Sequence, residues 1–86
     1  MGKTLYFGNL PWSVKDQDLA DFVQNHASVI SARIITDRET GRSKGYGFVE
    51  VDEDMAEKII GTLNGTAFGG RPLSVSEARL KKAVNV

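Results

Sequence analysis

Lys44-Gly45-Tyr46-Gly47-Phe48-Val49-Glu50-Val51 alternates in the manner of a β-strand. Lys44, Tyr46, Phe48 and Glu50 point one way. Gly45, Gly47, Val49 and Val51 point the other. The second set is small and apolar and belongs against a core. Tyr46 and Phe48 are then left side by side on the solvent face of a sheet, flanked by charge. Exposed rings beside charged groups suit a partner that stacks and carries charge. Single-stranded nucleic acid offers both, with flat bases and an anionic backbone.

The rest of the chain can be placed around this strand. Residues 3–8 form a second strand rich in β-branched and aromatic side chains, with Tyr6 and Gly8 on one face and Leu5 and Phe7 on the other. Asn9-Leu10-Pro11-Trp12 is a loop, because proline ends the strand and asparagine favours local hydrogen bonds. Trp12 either covers the edge of the sheet or meets a base, and the packing role is expected. Residues 13–25 carry Val14, Leu19, Phe22 and Val23 at helical spacing. Ser13, with Asp16 three residues on, marks the expected start. His26 is read as a partly buried turn residue. Ala27 is ill suited to a left-handed turn, so the turn after this helix must be built another way.

Residues 29–36 are a third strand, with Ala32 and Ile34 inward and Arg33 and Ile35 on the side of Tyr46. Arg33 is a candidate for phosphate contact or for stacking of its guanidinium on a base; a cross-strand pair is the structural alternative. Residues 37–43 are a polar hairpin loop that makes the flanking strands antiparallel neighbours, with Arg38 and Arg42 as positive charge at the rim. Residues 52–64 read as a second helix, capped by Asp52 and ended at Gly65. Residues 66–70 are a short link. Residues 71–78 are the last strand, with Leu73 and Val75 inward and an early proline that assigns it to an edge. The order is βαββαβ, which gives an α+β, ferredoxin-like sandwich: a four-stranded antiparallel sheet with both helices on one face.

At 86 residues the chain suits a single domain, expected over residues 1–80 with a short basic tail at 81–86. It has no cysteine, which excludes disulfides and thiolate metal sites and fits a reducing, cytoplasmic setting. One histidine excludes a multi-histidine metal site, and no cofactor is expected. No apolar run reaches the roughly 20 residues of a membrane span, and the N-terminus does not read as a signal peptide. Net charge is zero, yet the charges segregate. The helices hold Asp16, Asp18, Asp21, Asp52, Glu53, Asp54 and Glu57 against Lys15 and Lys58. The other segments hold Lys3, Arg33, Arg38, Arg42, Lys44, Arg71, Arg79, Lys81 and Lys82 against Asp37, Glu39, Glu50 and Glu77. With the helices behind the sheet, its front is basic.

Two stretches also resemble the paired signatures of the RNA recognition motif family. Residues 44–51 fit the longer signature, Lys/Arg-Gly-Phe/Tyr-Gly/Ala-Phe-Val-x-Phe/Tyr, at every position except Val51. Leu5-Tyr6-Phe7-Gly8-Asn9-Leu10 resembles the shorter one, with Phe7 where an aliphatic residue is usual. Phe7 is expected to compensate for the smaller Val51. Asp37, Thr40, Gly41 and Ser43 match bacterial and organellar members. Departures lie at Lys15, where a capping threonine is common, and at His26-Ala27, where an aromatic and a glycine are usual.

The resemblance implies single-stranded RNA binding, with Tyr6 and Phe48 stacking on two bases, Tyr46 set near the sugars and Lys44 on a phosphate. It places Ser76 and Ala78 where main-chain groups read base edges. Asn9, Lys3, Arg33, Arg42 and Arg79 complete the candidate contacts. Single-stranded DNA is a second candidate ligand, and a monomer is expected. Two other classes remain for comparison. A protein-binding module would use the acidic helical face. A hydrolase on the same fold needs an anion-binding loop with an arginine, and residues 9–12 carry no positive charge.

Overall fold

The computed structural model describes residues 2–78. Its elements are β1 (Gly2–Gly8), α1 (Asp16–Gln24), β2 (Val29–Thr36), β3 (Ser43–Asp52), α2 (Glu53–Leu63), β4 (Ala67–Phe68), β5 (Arg71–Pro72) and β6 (Ser74–Glu77). Strands β2-β3-β1-β6 form one antiparallel sheet, with the two signature strands, β1 and β3, in the centre. The sheet and both helices close over a core of Leu5, Phe7, Leu10, Leu19, Val23, Ile34, Val49, Val51, Ala56, Ile59, Leu63, Leu73 and Val75. Every inward residue of the sheet comes from the face opposite Tyr6, Tyr46 and Phe48, so the apolar alternation alone selects which side the helices cover.

Several expectations are corrected. Helix α1 begins at Asp16, not Ser13. The Val14 N–H donates to the Pro11 carbonyl, which holds residues 11–14 in a turn. Asp18 then accepts from the Lys15 N–H at 3.0 Å and supplies the cap. Asp16 is used differently: its carboxylate accepts the Ile34 N–H at 2.7 Å and ties the start of α1 to β2. His26 is exposed, its ring edge-on to Phe22. Among the described residues only Asn9 is a non-glycine with positive φ, so the turn through Ala27 is built without a left-handed residue. The Ala27 N–H donates to the Val23 carbonyl instead.

The last strand is split. Arg71–Pro72 pairs with Ala67–Phe68 in a separate two-stranded hairpin, and only Ser74–Glu77 joins the main sheet, at its edge. Gly69 and Gly70, both at positive φ, make the tight turn that folds this hairpin. Phe68 stacks on Phe22 at 4.3 Å and docks the hairpin on α1. Phe7 does not face Val51. It lies in register with Gly47, and Lys3 faces Val51; its phenyl is fully buried in the core. Helix α2 follows its expectation closely, with Asp52 accepting the Asp54 N–H at 2.9 Å and Gly65 at φ 87° after its end.

Candidate nucleic-acid interface

Register brings the three rings together. Tyr6 is paired with Phe48, and Gly8 with Tyr46, across the β1–β3 ladder. The ring centroids are 5.8 Å apart for Tyr6–Tyr46, 6.0 Å for Tyr6–Phe48 and 6.0 Å for Tyr46–Phe48. All three side chains are half-buried, each covered partly by the other two. Tilted and edge-on contacts at these distances are favourable for aromatic pairs, so the cluster holds its own shape and leaves ring surface open to a ligand.

Gly8 is a supporting residue that sequence reading passed over. A Cβ built there falls 2.5 Å from the Tyr6 hydroxyl and 2.8 Å from its ring carbons. The phenol therefore lies along β1, over Gly8, toward Tyr46. The signal was present, since Tyr6 and Gly8 share a face by alternation.

The charged candidates separate into two groups. Arg33 is exposed and in register with Phe48. It lines a shallow pocket on the open face with Thr4, Ser31, Ile35, Phe48 and Glu50, so the cation sits beside the platform. Lys44 is exposed, but Gly45, at φ 88°, interrupts the alternation between it and Tyr46. Its ammonium instead helps stabilise the Asp37 carboxylate, which places it toward the hairpin end. Arg42 is exposed in the hairpin, whose backbone is held by the Asp37 N–H donating to the Arg42 carbonyl at 2.7 Å.

Lys3 does not belong to the platform. It has the parity of Leu5 and Phe7 and lines a cleft with Glu53, Glu57, Ala56 and Ile60 of α2. Its ammonium pairs with Glu77 at 2.9 Å. The hydrogen bond from Lys3 to Glu77, then the Glu77 charge, with smaller contributions from Glu53 and Glu57, raise its pKa. Alternation puts it on the helical side, and carboxylates hold it there.

Asn9 adopts φ 63°, and its side-chain amide donates to the Pro72 carbonyl at 2.8 Å. It fastens the loop after β1 to the small hairpin. Ser76 faces outward opposite Tyr6. The Ala78 N–H donates to the Thr4 carbonyl at 3.0 Å, so that main-chain donor is taken by the sheet. Arg79 and the basic tail at 81–86 lie outside the described residues. Trp12 is 70% exposed, against the expected packing role. Among the described residues no cluster of His, Asp or Glu is arranged to hold a metal, and no helix is long and apolar enough to cross a membrane.

Comparison with known proteins agrees with this geometry. A solved RNA-binding protein, PG1, superposes with a TM-score of 0.84 at 49% identity, covering 88% of this chain and 93% of that one. The Rna15 RRM with bound RNA (GU) superposes with a TM-score of 0.77 at 32% identity, covering 87% and 81%. The 29 kDa chloroplastic ribonucleoprotein of Arabidopsis thaliana is 44% identical over 78 residues, 90% of this chain. The chain spans only 23% of that protein's length, and 35% of the 28 kDa chloroplastic ribonucleoprotein of Spinacia oleracea. The family model for the RNA recognition motif matches residues 5–74. With both signatures on adjacent central strands and that match running through most of the chain, the protein belongs to the RNA recognition motif family.

Proposed function

We propose that this chain binds single-stranded RNA on the open face of its sheet and exerts its role in RNA metabolism by that binding. The observation that carries the reading is the cluster of Tyr6, Tyr46 and Phe48, with centroids about 6 Å apart on the face the helices leave open. Two bases stack on Tyr6 and Phe48, and Tyr46 packs near the sugars between them. Arg33 lies beside Phe48 and supplies a cation for the phosphate or a guanidinium plane for a neighbouring base. The solved Rna15 domain, similar in fold, holds RNA, which supports RNA as the ligand here.

The zero net charge of the chain and the few cations around the rings give modest affinity with a shallow dependence on salt. The chain acts as a monomer on short sites. Backbone amide shifts followed by NMR during titration with single-stranded RNA test the reading. Changes should concentrate at β1 and β3 around residues 6, 46 and 48, with α1 and α2 unmoved. Changes confined to the helices would mean that the open face is not the binding surface. A parallel titration with DNA of the same sequence reports whether the 2′-hydroxyl contributes.

A further inference from the structure

On the proposed reading the open face meets a polyanion, yet a carboxylate stands on it. Glu50 shares the parity of Tyr46 and Phe48 on β3 and is half-buried there. It is in register with Thr4 of β1 and with Ser31 of β2. That row lies one step along the strands from the row of Tyr6, Phe48 and Arg33. Within it only Glu50 is charged, between two short hydroxyl side chains. Phe48, Glu50, Arg33, Thr4, Ser31 and Ile35 line one shallow pocket of about 330 Å³, so Glu50 and Phe48 border the same space.

The fold makes no use of this carboxylate. Arg33 and Glu50 sit diagonally across β2 and β3, but among the described residues no ion pair joins them and no hydrogen bond reaches Glu50. The Glu50 side chain lies across β1 over Gly2, where a Cβ would fall 2.8 Å from its carboxyl carbon. Gly2 thus leaves it room to swing between that position and the space beside Phe48. A free carboxylate here repels a phosphate backbone. It is an acceptor only, so it favours a ligand that brings N–H donors to it. The bases differ in what they offer. Guanine presents its ring N1–H and its 2-amino group side by side, two donors for two carboxylate oxygens. Adenine and cytosine present an amino group next to a ring nitrogen whose lone pair the carboxylate repels. Uracil presents one N–H between two carbonyl oxygens.

We propose that Glu50 selects guanine for the nucleotide stacked on Phe48, its carboxylate accepting from N1–H and the 2-amino group while Arg33, on the neighbouring row, stays with the phosphate. The assignment rests on the reading of the open face as the RNA platform, and it names the base that platform prefers. Selection comes from two sides. Guanine gains a bidentate, charge-assisted pair. Any base without the paired donors leaves the carboxylate uncompensated.

Uridine oligomers of about five nucleotides, enough for the bases a sheet stacks and a neighbour on either side, test this. They carry one guanosine, adenosine or cytidine at each position in turn, and affinity is read by fluorescence anisotropy. At one position guanosine should bind about tenfold tighter than the other three bases, the size of a good bidentate contact. Inosine there keeps N1–H, lacks the 2-amino group and should lose part of the preference. Glu50→Ala should bring the guanosine oligomer down to the level of the all-uridine one, which it should bind more tightly than wild type does. Glu50→Gln keeps the shape, replaces one acceptor oxygen by a donor and should also lose the guanosine preference. A guanosine preference that survives both variants, a wild-type preference for another base, or no preference at all would overturn the role of Glu50. Phe48→Ala weakening every oligomer would in that case leave the platform standing. Phe48→Ala without effect on any oligomer would remove the platform and the selection with it.

Discussion

Phe48 stands opposite Tyr6 in the central ladder, with ring centroids 6.0 Å apart and planes at 61°. The two rings thus cover part of each other in the free protein, and on the proposed reading a base covers each in the bound one. Phe48→Ala and Tyr6→Ala should each weaken RNA binding by about 1–3 kcal/mol, measured by fluorescence anisotropy at fixed salt. Thermal stability should fall by less, since each half-exposed ring gives up an aromatic contact of about 0.5–1.5 kcal/mol. In the double variant the two binding losses should fall short of additive, because removing one ring already frees the other.

Gly8 sets the attitude of the Tyr6 ring. Its missing Cβ is what lets the phenol lie along the strand, and the atoms a Cβ meets are the far end of a side chain that can swing away. Gly8→Ala should therefore fold normally, with a melting temperature close to wild type. Its RNA affinity should drop by several-fold, as the ring stands up and leaves its contact with Tyr46. A loss of fold with no separate loss of affinity would show that Gly8 serves packing instead.

Gly47 is the opposite case. A Cβ there falls 2.5 Å from the Arg33 carbonyl oxygen and 3.1 Å from the Ile34 Cα, both backbone atoms of β2 that cannot rotate aside. Gly47→Ala should push β2 from β3 and destabilise the domain by about 1–3 kcal/mol. For a domain of this size that is a fall of roughly 4–8 °C in melting temperature per kcal/mol. Circular dichroism melts check it. An unchanged midpoint would mean that the two strands have room to spare.

These residues show which parts of the molecule could be read from the chain. The face of each ring was legible because β3 alternates regularly from Tyr46 to Val51. The rule lapsed at Lys44, where Gly45 takes a positive φ. Lys3 was misplaced although its parity with Leu5 was visible, because charge was weighed above alternation. Its position became clear only with Glu77 beside it, since that pairing depends on β6 lying next to β1. The split of the last strand was announced by Gly69-Gly70 before a proline. The exposure of Trp12 was not legible at all: neither alternation nor helical spacing fixes the facing of a side chain in an irregular loop.

Lys3 and Arg33 make a matched test of facing. Arg33→Ala should weaken RNA binding and reduce the salt slope by roughly one phosphate contact. Lys3→Ala should leave both unchanged, since its ammonium lies on the helical side with Glu77. Its effect is on stability and on alkaline pH. The folded pKa of Lys3 is raised by Glu77, so the pair's contribution is fully present below the unfolded value and is lost as pH rises through the folded one. Melting temperatures of wild type and Lys3→Ala should therefore converge in strongly alkaline buffer. Weakened RNA binding by Lys3→Ala at neutral pH would return this residue to the interface.

Asp37 gives the acid limb. Its carboxylate accepts the Glu39 N–H at 2.8 Å and the Thr40 N–H at 3.3 Å. These two amides, with a smaller contribution from the Lys44 charge, hold its pKa below the usual carboxylate value. A depressed folded pKa means that the stabilisation is present above the unfolded value and is lost as pH falls through the folded one. The hairpin that carries Arg42 should loosen in that acid window while the sheet persists. An NMR titration of the Asp37 carboxyl should give a midpoint below that of an unfolded aspartate. Exchange of the Glu39 and Thr40 amides should accelerate over the same interval. Asp37→Asn keeps an acceptor oxygen without the charge and should flatten the pH dependence while preserving the turn, whereas Asp37→Ala should open the turn at every pH. An Asp37 midpoint at or above the unfolded value would show that the turn is held without this carboxylate.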